Sequence, residues 1–149
     1  MRKLMGVLGA LAAATLAGTA LPAQASTYLG IENYRAVGTN LCISDLSEGL
    51  GIASCPANPP NYQKWGVYAA PNVRAFKNVS TGRCIQGGWD ARVVSVVCQG
   101  SDYQRFNILH YSDGSIAFRN VAVGSCINYE LGRPLKLVQC NGSVSQRFH

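Results

Sequence analysis

Acid–base side chains are scarce: the 149 residues hold only seven Asp and Glu and two histidines, His110 and His149. A hydrolase of the Ser-His-Asp kind needs a base held beside a nucleophile and oriented by an acid. His149 is the last residue and His110 follows a strand-like run, each without an acid nearby in sequence. Gly-rich phosphate loops and metal-ligand motifs are missing too. The cysteines lie 13 or 14 residues apart in successive pairs, unlike the close pairs of zinc sites. Beyond residue 25 no window sustains apolar residues at i, i+3, i+4 and i+7, which excludes long amphipathic helices. Basic residues outnumber acidic ones by 13 to 7 but never cluster, and a nucleic-acid face needs a cluster. These absences leave a chain expected to have no catalytic residue, no metal, no cofactor and no nucleic-acid partner.

The amino terminus is not expected to be part of the fold. Arg2 and Lys3 precede an apolar, Ala-rich run from Leu4 to Leu21, and Ala23-Gln24-Ala25 follows as an A-x-A cleavage site. This is the pattern of a secretory signal peptide over residues 1–25, bacterial in style, rather than of a membrane anchor. Its removal leaves residues 26–149 as one domain of 124 residues with a net charge of +4. The mature chain is expected to be extracellular, with no membrane span.

What the sequence does contain is a repeat. Phe76-Lys77-Asn78-Val79-Ser80-Thr81-Gly82-Arg83-Cys84-Ile85 returns as Phe118-Arg119-Asn120-Val121-Ala122-Val123-Gly124-Ser125-Cys126-Ile127. A worn copy runs from Ile31 to Ile43. First cysteines at 42, 84 and 126 set a period of 42 residues. A second cysteine follows in each copy (Cys55, Cys98, Cys140), and a Gln-x-aromatic triplet closes each: Gln63-Lys64-Trp65, Gln104-Arg105-Phe106 and Gln146-Arg147-Phe148. One supersecondary unit is used three times, and no unit can bury its apolar face alone.

The repeat also reads the cysteines. Six cysteines in an oxidising compartment allow fifteen pairings. Only Cys42–Cys55, Cys84–Cys98 and Cys126–Cys140 treat equivalent units alike, each worth roughly 3 kcal/mol for so short a loop. Short β-branched runs such as Val93-Val94-Ser95-Val96-Val97 alternate with turn signals, among them Ser112-Asp113-Gly114-Ser115 and Ala70-Pro71-Asn72. About four strands per unit, hence about twelve, are expected in a ring closed on itself, because a solenoid would need distinct caps. Trp65, Phe106 and Phe148 are expected in the core.

These triplets, the three Cys-Ile strand starts and the paired cysteines resemble the ricin-B-type lectin family over residues 31–149. The resemblance implies an all-β fold, a β-trefoil of six two-stranded hairpins with three pseudo-symmetric repeats and one disulfide in each. It also implies a secreted, non-catalytic carbohydrate-binding module whose partner is a glycan or polysaccharide. The family's sugar-site positions are altered in every repeat. Its Asp is replaced by Ser44, Gln86 and Asn128, and its Asn by Tyr62, Tyr103 and Ser145. Its platform pairs are Gly51 with Ala53, Val94 with Val96, and Lys136 with Val138.

Sugar recognition needs a flat apolar face and paired donors and acceptors. Repeat two offers Gln86-Gly87-Gly88-Trp89-Asp90: Trp89 to stack, Gln86 and Asp90 to accept hydroxyl protons, and two glycines to let backbone approach. Repeat three offers a smaller trio, Asn128, Tyr129 and Glu130. Ser44, Asp45 and Glu48 of repeat one lack an aromatic neighbour, and loop acids such as Asp45, Asp90 and Glu130 are more often solvated than ligand contacts. Asp90 and Glu130 belong to related loops of different repeats, so they do not form the facing carboxyl pair of a glycosidase. A second class of function stays open: a secreted or cell-surface protein as partner, met by the stiff loop Pro56-Ala57-Asn58-Pro59-Pro60-Asn61 in an inhibitor or a toxin-delivery subunit.

Overall fold

A computed structural model describes residues 26–149, so the leader over residues 1–25 lies outside the described residues. Eleven strands follow one another: β1 (Thr27–Glu32), β2 (Leu41–Leu46), β3 (Gly49–Ser54), β4 (Trp65–Ala70), β5 (Val73–Asn78), β6 (Cys84–Gly87), β7 (Val93–Val96), β8 (Phe106–His110), β9 (Ile116–Asn120), β10 (Cys126–Asn128) and β11 (Lys136–Val138). Hairpins β2–β3, β6–β7 and β10–β11 form one tier, each with a repeat's first cysteine at or one residue past its start. Strands β1, β4, β5, β8 and β9 form the other, all antiparallel. This is an all-β trefoil. The expected twelfth strand is reduced to single bridges: Phe148 pairs with Ala36 on one side and with Ile116 on the other. Those bridges close the ring, helped by mutual backbone bonds of 2.8 Å between Arg35 and His149.

The threefold arrangement extends to individual bonds. Glu32–Trp65, Arg74–Phe106 and Ile116–Phe148 are the equivalent cross-strand pairs. Val37, Val79 and Val121 each donate a backbone bond of 3.0 Å, to Arg147, Lys64 and Arg105 respectively. Tyr34, Phe76 and Phe118, spaced by one period each, meet on the axis in three edge-to-face contacts of 4.9–5.5 Å. Trp65, Phe106 and Phe148 are wholly buried, as are Ile43, Ile85 and Ile127 behind the first cysteines. Burial also pushes the Tyr34 phenol well above its usual range, the Glu32 charge adding to it.

The triplet glutamines stay buried because their amides are spent on backbone. Each ends a single 3-10 turn: Asn61–Gln63, Asp102–Gln104 and Val144–Gln146. Gln104 donates to Val97 O at 2.8 Å and accepts from Gln99 N at 2.7 Å. Gln146 repeats this with Gln139 O and Asn141 N, both at 2.9 Å. Gln63 donates to Ser54 O at 2.8 Å, but its Oε1 has no partner. The cause is in the sequence: the residue after the second cysteine is Pro56 in repeat one, and proline has no N–H to give. The disulfides join Cys42–Cys55, Cys84–Cys98 and Cys126–Cys140, the pairing the repeat selects, and no cysteine of the domain is free.

Phe118→Ala is expected to destabilise the domain by about 3–5 kcal/mol, because it empties the centre of the triad. Tyr34→Phe, which makes the triad uniform, is expected to change stability by less than about 1.5 kcal/mol. Urea unfolding of both variants checks the contrast.

Candidate functional site

The loop between β6 and β7 is a tight turn. Gly88 N donates to Arg92 O and Ala91 N to Gly88 O, both at 3.0 Å, and Ala91 takes a left-handed φ of 64°. So compact a turn has no room to fold Trp89 inward, and its ring stands 71% exposed. It is held at one edge: the indole Nε1 donates to the Tyr103 hydroxyl at 2.8 Å. Tyr103 lies in the 3-10 turn just before Gln104, where the side chain reaches the neighbouring loop. The two residues form a hydrogen-bonded pair at the surface, with Trp89 largely uncovered.

Beside it Asp90 holds Arg92. Its carboxylate accepts from Arg92 Nε at 2.7 Å and from Arg92 N at 3.2 Å. The backbone N–H of Arg92, then its side chain, holds the Asp90 carboxyl below the usual carboxylate range. Gln86 is turned the other way. Its Oε1 accepts from Gln104 Nε2 at 3.1 Å, so this amide supports the triplet turn. Gly87, read in sequence as a point of ligand approach, is buried instead; a Cβ there would meet Leu137 Cδ1 at 2.7 Å. Repeat two thus brings Trp89 and Asp90 together at the surface, while Gln86 and Gly87 serve the interior.

The trio of repeat three is dispersed by its bonds. Asn128 is buried, accepting from Ser145 Oγ at 2.9 Å and donating to Tyr129 O at 3.3 Å. Half-buried Tyr129 packs towards Phe148 and donates to Val37 O at 3.3 Å. Glu130 pairs with Lys136, which lowers its pKa, and with Arg133 at 3.6 Å. Asp45, expected to be a solvated loop acid, is 93% buried, being only 7% exposed. It accepts from Ser95 Oγ at 2.6 Å and Thr81 Oγ1 at 2.5 Å, tying repeat one to repeat two. Those partners lie 36 and 50 residues away, beyond any local signal. Tyr103, which bonds Trp89, is not among the candidate contacts read from the sequence, although its place immediately before a triplet marks it.

Residues 60–149 match the family described as the cytolethal distending toxin A/C domain. No curated protein matches the chain. Among solved structures it is similar to the designed threefold-symmetric protein ThreeFoil, at 13% identity over 80% of this chain and 96% of that one, with a TM-score of 0.70. It is also similar to a chain of cytolethal distending toxin from Actinobacillus actinomycetemcomitans, at 17% identity over 80% and 89%, with a TM-score of 0.68. A third likeness is to SeviL, solved bound to asialo-GM1 saccharide, at 13% identity over 80% and 94%, with a TM-score of 0.65. At such identities these structures carry the fold alone. Among the described residues no helix is long and apolar enough to cross a membrane.

The Asp90 shift gives the loop a pH signature. A depressed carboxyl contributes above its unfolded pKa, and the contribution is lost as pH falls through the folded value. Trp89 fluorescence is therefore expected to stay constant from pH 7 down to about pH 4 and to change only below it. A change centred between pH 5 and 7 would show that another group controls the loop.

Proposed function

The chain belongs to the cytolethal distending toxin A/C domain family, and we propose that it is a secreted, non-catalytic glycan-binding β-trefoil with Trp89 and Tyr103 as its contact face. The observation that carries this reading is the uncovered indole pinned at one edge by Tyr103. An aromatic face fixed in this way loses little side-chain freedom when a pyranose lies on it. Asp90 supplies an acceptor beside the ring, already oriented by its bond to Arg92. The resemblance to ricin-B-type lectins, carried by the three triplets, points to the same class of ligand at a different position in the repeat. Asp90 and Glu130 are each engaged by a basic neighbour, so neither is the uncharged acid that glycoside cleavage requires.

One shallow site of this kind is expected to bind in the millimolar range, about 4 kcal/mol. The test is a glycan array followed by titration of the best ligand against Trp89→Ala. Affinity is expected to fall at least about tenfold, the loss of one stacking contact, with the melting curve unchanged. Binding that survives the substitution removes Trp89 from the site.

A second reading, a protein-contact subunit of a toxin assembly, rests on a different surface. A bulge at Leu29 turns Tyr28 and Ile31 to one face of β1, 53% and 52% exposed. The Tyr28 ring lies 5.3 Å from Tyr68, both over Gly66. The Pro56–Asn61 loop is the other candidate contact. If this reading holds, Tyr28→Ser with Ile31→Ser abolishes capture of a secreted partner and leaves glycan titration untouched. Capture that is undiminished in the double variant counts against the β1 face.

A further inference from the structure

The three capping hairpins leave a cleft of about 470 Å³ between their loops, and Trp89 is not among the residues that line it. Its floor is Leu50, Val93 and Leu135, which take the same place in the three hairpins and are almost wholly buried. The rim differs from loop to loop: Glu48 from repeat one, Arg92 from repeat two and Arg133 from repeat three. Arg92 is anchored through Nε by Asp90 at 2.7 Å, while Arg133 approaches Glu130 only to 3.6 Å. Their terminal nitrogens have no hydrogen-bond partner among the described residues. Glu48 forms no ion pair among them either.

We propose that this axial cleft is a separate ligand site, for an acidic sugar: a pyranose carrying a carboxylate. Three features of the cleft select that class together. Above that buried floor, exposed Leu46 and Pro134 and half-buried Ile52 present apolar surface to the C–H side of a ring. Guanidinium nitrogens with free donors fit a planar carboxylate and hold it in one orientation. Glu48 is acceptor-only and suits hydroxyl groups, while repelling a second anion. A neutral sugar leaves both arginines unused, and a purely apolar ligand leaves all three charges unused. The cleft also falls within the roughly 300–1,000 Å³ of small-ligand sites. Arg92, already held by Asp90, loses less freedom on binding than a free side chain, which favours this position over the scattered basic residues elsewhere on the domain.

The experiment is an NMR titration of the nitrogen-labelled domain with N-acetylneuraminic acid and, separately, with galacturonic acid; galactose is the neutral control. Either acid is expected to shift the amides of Gly49, Gly51 and Gly132, which line the cleft, and galactose is not. Which acid shifts them more names the source of the ligand. Arg92→Ala with Arg133→Ala is expected to weaken binding at least about tenfold, the loss of one or more charge-assisted bonds. Arg83→Ala removes one exposed charge outside the cleft and is expected to leave it unchanged. The inference is overturned if neither acid moves the cleft amides, if galactose moves them equally, or if binding survives loss of both arginines. A response confined to the Trp89 indole signal would also overturn it, because that signal belongs to the other surface.

Discussion

Three rings meeting edge to face on the pseudo-threefold axis are the constraint that the rest of the domain obeys. Tyr34, Phe76 and Phe118 each touch both of the others. No single repeat can make that contact, since each supplies one ring. Each such pair is worth roughly 0.5–1.5 kcal/mol beyond its buried area. The triad therefore forms only when all three units are assembled, and the register of every unit is set by where its ring must stand. The buried triplet aromatics form a second ring of residues around the first. Their partners in the strands are the same pairs, three times over.

Closure is what makes this arrangement self-sufficient. The first and last units meet through Ala36, Arg35 and His149, so the barrel has no open end that would need a cap. With the interior held by repeated bonds, the units are free to differ outside it. The equivalent positions Asp45, Gly87 and Tyr129 show how far. One is a buried carboxylate bonded to two hydroxyls, one a glycine packed under Leu137, and one a tyrosine reaching Val37 O. The same freedom puts Trp89 on one loop and arginines on the rim of the axial cleft. Both proposed sites are built from exceptions to the repeat.

That division explains what was legible in the sequence. The period gave the disulfide pairing and the buried triplet aromatics, because each is demanded three times, while the hairpin turn at Ser112–Ser115 was legible from its own turn residues. It also foretold the ring, though the last strand proved to be bridges around Phe148 only. The exposed Trp89 was legible from its setting between glycines and an acid. Its pin to Tyr103 was not, nor was the capture of Gln86 by Gln104 or of Asn128 by Ser145. Those bonds join side chains 14 to 18 residues apart, whose meeting depends on how a loop packs on a turn. Asp45 shows the same limit over a longer range: its burial is decided by hydroxyls in the next repeat. Pro56 is the reverse case, a residue whose missing N–H in the sequence accounts for the unpartnered Gln63 Oε1.

Amide hydrogen exchange at Val37, Val79 and Val121 tests the closed threefold ring most directly. The three N–H groups make equivalent 3.0 Å bonds, but only that of Val37 crosses the seam between the first and last units. A closed ring predicts comparable protection at all three. Rapid exchange at Val37 beside slow exchange at Val79 and Val121 would show the seam open and contradict the account.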